Sequence, residues 1–255
     1  MSRLVDDTLV MAGRCLRRLP RSPDLLIGFT VQPIMFVLLF VYVFGGAIAT
    51  PGFQDYTDFL IPGIVAQTIA FGGFYTALGL SEDLNKGLID RFRSLPMARP
   101  AVLAGRTISD IVTNLVGAVI LVGTGLVVGF RFDTDVLSVL AGLGLLILFG
   151  FASSWIFALI GLMVSSPEAA NGVGFTLIFP ITFISSAFVP VDSMPAGIGW
   201  FAKHNPVTHL VDATRDLWLG VPAGDAALYS VIWSVGLVAV FAPLAVAKYR
   251  RTTAR

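Results

Sequence analysis

The residues able to do chemistry are few, and several collect in one stretch. His204 and His209 are the only histidines. Five residues apart, they do not share a helix face, and no Cys or Glu nearby completes a metal-ligand set. Asp212, Arg215 and Asp216 follow closely and read as an interfacial charge cluster. No G-x-S-x-G elbow supports serine-hydrolase chemistry. A phosphate-gripping P-loop requires Gly-Lys followed by Ser or Thr. Lys86, Lys203 and Lys248 follow Asn85, Ala202 and Ala247, so the chain carries no ATPase site of that kind. Cys15 is the single cysteine, which excludes an internal disulfide, and it reads as a small apolar helix residue. The expectation is therefore no catalytic residue, no metal and no cofactor in this chain.

One acid, Asp110, lies within the long apolar runs, near one end of the third. Ion-driven transporters keep an acid or an unwound polar site near the membrane midplane. Asp110 leaves open a small ion-coupled exporter. The plainer reading is an interfacial residue bonded to a neighbouring helix or loop. Gln32, Gln67 and Asn114 are uncharged polar groups in or near the runs and read as helix-bridging amides.

The elements that position these groups follow from composition. Of 255 residues, 56% are hydrophobic and 13% charged, and mean hydropathy is +0.84. Soluble domains carry roughly 25% charged residues, so lipid must supply part of the solvent. Net charge of +1 gives no electrostatic case for nucleic acid. A bilayer core takes about 20 apolar residues per helix. Six runs qualify: about Leu25–Gly46, Phe59–Leu80, Val102–Phe130, Leu137–Val164, Gly172–Val189 and Ala226–Ala247. None reads as a cleaved signal peptide. The expectation is an all-α polytopic membrane protein with six spans in one domain over 1–255.

Charge sets its orientation. Fourteen of the seventeen Lys and Arg fall in the N-terminal segment, in 81–106 and after the last run. Arg131, Lys203 and Arg215 lie on the other side. Positive charge stays in the cytoplasm, which puts both termini inside a plasma membrane. In the N-terminal segment, residues 1–22, Val5, Leu9, Ala12, Leu16 and Leu19 form an apolar stripe, with Asp7, Arg14, Arg18 and Arg21 opposite. This predicts a helix lying in the lipid surface. Pro20 and Pro23 break it. Residues 190–225 are too long for a turn and too apolar for a solvated loop. Asn205-Pro206 is a helix start, and Val207–Leu219 closed by Gly220 predicts a short amphipathic helix. A segment that enters from outside and returns fits this stretch.

The loop 81–101 is charged and helix-prone. Ser81 can cap a helix, with Glu82 and Asp83 in its first turn. Leu84, Leu88, Ile89 and Phe92 share an apolar face, and Pro96 and Pro100 end the register. Two roles fit: a helix that docks into a soluble partner, or one that anchors the loop at the interface.

Residues 90–110, DRFRSLPMARPAVLAGRTISD, resemble the first cytoplasmic loop of ABC-2-type transporter permeases, nearest the daunorubicin-resistance branch of drug and lipid exporters. The C-terminal part agrees. Ile178, Ile181, Ile184, Ser185 and Ala187 fill the spaced start of that family's signature. Met194-Pro195 follows, then Pro206, His209 and Arg215, with Val207 departing from the bulkier residue usual there.

The resemblance implies a permease subunit pairing with a second one, the same or related, above two cytoplasmic ABC ATPase subunits that hold ATP and magnesium. It implies that the loop is a coupling helix, with Glu82, Asp83, Leu88, Asp90, Arg91 and Phe92 meeting the ATPase. It also implies that Pro206, His209 and Arg215 order an external gate. The apolar walls favour a hydrophobic or amphipathic drug, polyketide or lipid. Phe71, Phe74, Tyr75, Phe179 and Phe183 are candidates for the pathway. A non-transporting membrane scaffold is a further alternative.

Overall fold

The computed structural model of the chain describes residues 2–18, 23–48, 50, 52–53, 55–87, 100–222 and 224–252, and no strand occurs among them. The helices are α1 (Ser2–Arg18), α2 (Pro23–Leu39), α3 (Tyr56–Phe71), α4 (Phe74–Asn85), α5 (Pro100–Val127), α6 (Val136–Met163), α7 (Pro167–Phe183), α8 (Ala196–His204), α9 (Pro206–Trp218) and α10 (Asp225–Thr252). A π-helical turn, Phe40–Phe44, continues α2. Among the described residues, four stretches are long and apolar enough to cross a membrane: Tyr56–Asn85, Ala101–Val127, Val136–Met163 and Asp225–Arg251. Val31–Phe44 is a shorter apolar helix.

The α3–α4 stretch forms the centre. Leu60, Ile61, Ile64, Val65 and Ile69 are buried against Leu121, Leu146, Phe149 and Leu210 of its neighbours. This helix is apolar all round because protein surrounds it. In contrast, α10 packs on α6 and α9 and leaves Leu228, Val231, Ile232 and Val235 exposed, the faces a lipid-bathed helix presents.

Several expected boundaries change. The second run is broken at Gly72-Gly73, where α3 ends and α4 begins. A Cβ on Gly72 would sit 1.8 Å from the Asn114 amide oxygen, and one on Gly73 2.8 Å from the Ser154 Cα. Only glycine lets these neighbours approach so closely. Ser81 does not cap a new helix. It lies buried inside α4, which runs on to Asn85, and Gly87 at φ +65° closes it. The fifth run was expected over 172–189. Instead α7 starts earlier, with Ser166 accepting from the Ala169 amide at 3.1 Å, and stops at Phe183. It stops because Asn205 Nδ2 donates to the carbonyls of Ile181 and Ile184 at 2.6 and 2.7 Å, and Ser185 Oγ donates to Thr182 O at 2.5 Å. Side chains thus satisfy the last carbonyls, and the helix need not continue.

Helix α1 packs on α5. Thr8, Met11 and Ala12 are buried, and Gly105 of α5 lies against Met11 and Thr8. Leu9 faces outward and Leu16 is half-buried. Thr8, Met11 and Ala12 thus form a face that packs on α5, where Gly105 allows close approach, and Leu9 of the apolar stripe lies outside it. The side chain of Val5 and the whole of Leu19 lie outside the described residues.

Candidate functional site

Between α2, the α3–α4 break and α7 lies a cavity of ≈ 200 Å³. Phe36 comes from α2, Phe71 and Tyr75 flank the break, and Phe175, Phe179 and Phe183 come from α7. Spacing of four puts the last three on one helix face. Their rings stack with centroids 5.0 Å apart for Phe175–Phe179 and 4.1 Å for Phe179–Phe183. The stack continues through Phe188 to Phe40, at 4.9 and 4.6 Å. The polar groups of the lining are Gln32, Gln67, Thr68 and Tyr75, and the lining carries no acid or base.

Four of the five pathway candidates, Phe71, Tyr75, Phe179 and Phe183, thus meet in one cavity. Phe74 does not line it. It packs edge-on against Phe157 at 6.0 Å and lies beside Gly174, because one residue before Tyr75 on α4 it falls on a different face of the helix. Sequence reading missed Phe175, Phe36 and Thr68. The i, i+4, i+8 series Phe175, Phe179, Phe183 was the available signal for the first.

Of the expected docking residues, Leu88, Asp90, Arg91 and Phe92 lie outside the described residues. Glu82 is half-buried on α4 and pairs with Lys86 at 3.4 Å. Asp83 is buried. Its carboxylate accepts from Arg106 Nη1 of α5 at 3.1 Å and meets Arg14 of α1 at 3.6 Å. Asp83 thus points inward and ties three helices together at the root of the loop. Asp110 is also buried, accepting from Thr76 Oγ1 at 2.5 Å, and does not line the cavity.

The second cluster surrounds the end of α7. Asn205 starts α9 by accepting from the Val207 amide at 2.9 Å, with Pro206 in the first turn. Arg215, nearly three turns further, is buried. Nε and Nη2 donate to Phe59 O of α3 at 3.2 and 2.9 Å, Nη2 also to Ser186 O at 2.9 Å, and Nη1 to Asp212 Oδ1 at 2.9 Å. The guanidinium carbon lies 3.9 Å from the Phe59 ring centroid. Burial pushes this group, which lies outside the four spans, down to about 10, opposed by Asp212 and Asp216, so it stays a cation at neutral pH. Ser186 Oγ donates to Asp212 Oδ1 at 2.7 Å, and Tyr56 OH to Phe188 O at 3.0 Å. The non-helical backbone after α7 is thus held by side chains from α3 and α9, which is what unwound backbone in an apolar setting requires. His209 is not part of this knot. Its ring packs against Tyr229 of α10 at 5.1 Å. His204 Nδ1 pairs with Trp200 O at 2.8 Å. Among the described residues, no group of three His, Cys, Asp or Glu side chains is placed to hold a metal ion.

Comparison with known proteins follows the same outline. Residues 7–219 match the model of the ABC-2 type transporter family. The chain belongs to that family. It is similar to the daunorubicin resistance ABC transporter permease protein DrrB1 of Streptomyces coeruleorubidus, with 38% identity over 98% of this chain and 88% of the relative. It is also similar to the probable doxorubicin resistance ABC transporter permease protein DrrC of Mycobacterium tuberculosis, 28% identical over 98% of this chain and 90% of that one. Nodulation protein J of Rhizobium leguminosarum bv. trifolii is 28% identical over 78% of this chain and 76% of its own length. As an ABC-2 permease the chain is an integral membrane component of a transporter and not itself the ATPase. Pro206 in the first turn of α9 and Arg215 further along it both act beside the break that ends α7.

Proposed function

We propose that this permease is the membrane half of an ATP-driven exporter that moves a hydrophobic or amphipathic drug, polyketide or lipid outward from the cytoplasm or inner leaflet. The observation that carries this reading is the cavity of ≈ 200 Å³, with aromatic walls and uncharged polar groups. Ligand sites are mostly apolar with a few placed polar groups. The names of DrrB1 and DrrC, both drug-resistance permeases, point the same way.

In this reading α2 and α7 cross the membrane with the four longer stretches, making six spans with both termini cytoplasmic. Helix α1 rides on the inner lipid surface, and α8–α9 forms the external gate, ordered by Pro206, His209 and Arg215. Power enters through the loop after α4, where Glu82, Leu88, Asp90, Arg91 and Phe92 meet the ATPase, which holds ATP and magnesium. Asp83 acts from behind them, fixing the loop root to α1 and α5. Two ATPase subunits and a second permease, the same or related, complete the complex. The bond of Asp110 to Thr76, away from the cavity, supports a structural role over ion coupling.

The test is a double variant, Leu88→Asp with Phe92→Asp, in the complex co-expressed with its ATPase and reconstituted in vesicles. The expected result is loss of ATPase co-purification and of ATP-dependent cargo movement, with the permease still monodisperse. A complex that co-purifies intact, with an unchanged cargo-stimulated ATPase rate, overturns the coupling reading.

A further inference from the structure

Gln67 stands out within the cavity. It is 8% exposed, yet its amide makes no hydrogen bond among the described residues. Its polar atoms are not sealed off in the interior, and it lines the cavity. The surroundings are apolar: Ile64 and Phe71 lie one turn to either side on the same helix, and the rings of Phe175, Phe179 and Phe183 form another wall. With no protein partner, this amide must find its hydrogen bonds in whatever occupies the cavity, water or cargo. Asn114, by comparison, is wedged between helices, its oxygen against Gly72 and its nitrogen against Gly150, and that nitrogen is sealed in without a partner and away from the cavity. Gln67 instead presents a donor and an acceptor to the cavity, facing the aromatic wall, with Gln32, Thr68 and Tyr75 as the other polar groups of the lining. The lining carries no charged side chain, so hydrogen bonding is the polar discrimination open to its own residues.

We propose that Gln67 is a specificity-determining residue of this cavity. Its amide bonds a carbonyl, hydroxyl or amide on the edge of a flat apolar cargo held against the phenylalanine stack. This rests on the cavity being a cargo site. A site built to bond a polar group rejects the analogue lacking it, because the amide is then left unpaired.

The experiment uses two probes with one three-ring frame, anthraquinone and anthracene, which differ by two carbonyls. Binding to the full-length permease in lipid nanodiscs is measured after subtracting partition into empty discs. Wild type is expected to bind anthraquinone about 3- to 10-fold more tightly. In Gln67→Leu and in Gln67→Met the ratio should fall to about 1, with anthracene binding kept or improved. Phe179→Ala should weaken both probes together. A wild type with no preference overturns the proposal without any variant. If both Gln67 variants keep the wild-type ratio while Phe179→Ala weakens both probes, the role of Gln67 fails and the cavity reading stands. If neither probe binds wild type above empty discs, both fail together.

Discussion

Replacing Arg215 with methionine tests whether the knot after α7 holds the fold. Methionine keeps much of the stem and removes the charge. Two buried carbonyls, Phe59 O and Ser186 O, lose charged donors at 2.9 Å. Hydrogen bonds to charged groups contribute about 1.5–3 kcal/mol each, so these two amount to about 3–6 kcal/mol. The bond to Asp212 adds little, because that side chain is 38% exposed and exposed pairs are worth about 0–1 kcal/mol. Removing a desolvated cation returns part of the loss. The net expectation is a destabilisation of about 3 kcal/mol. Asp212→Asn should cost under about 1 kcal/mol. Arg215→Lys should recover only part, since a lysine cannot fork between two carbonyls. The assay is reversible unfolding in mixed micelles of rising denaturing-detergent fraction, followed by circular dichroism. A loss below about 1 kcal/mol for Arg215→Met would show that water or the remaining backbone satisfies these carbonyls, and would refute the reasoning.

Two further outcomes are expected. A Cβ at Gly63 would lie 2.1 Å from Ala187 O and 2.8 Å from its carbonyl carbon, so Gly63→Ala must push the segment after α7 off α3 and destabilise by about 1–3 kcal/mol. Gly117→Ala, where nothing lies within 4 Å, should be neutral or slightly stabilising, and the same unfolding assay compares the two. For orientation, Thr57→Cys should react with an impermeant thiol reagent in intact cells and Lys86→Cys only after permeabilisation, both in a Cys15→Ser background. Labelling of the cysteine at 86 from outside overturns a cytoplasmic loop.

Much of the helical layout was legible because apolar runs report their own length. The fourth run, 137–164, lies within one residue of Val136–Met163 at each end. The end of α7 was not legible, because Asn205, twenty-one residues beyond Ile184, decides it. Nor was the break at Gly72-Gly73, which depends on Asn114 and Ser154 from other helices. Asp83 reads as a first-turn acid of a loop helix, and only the arrival of Arg106 and Arg14 turns it inward.

By itself, the sequence determined a helical membrane chain, the side on which its charge gathers, the absence of a P-loop and the ABC-2 family. These depend on composition, run length and local motif, none of which needs contacts across the fold. Tertiary structure decided which aromatics share a cavity, which carbonyls Arg215 holds, and that Gln67 faces open space instead of a partner. Each of those depends on how helices far apart in the chain pack against one another, which no local pattern reports.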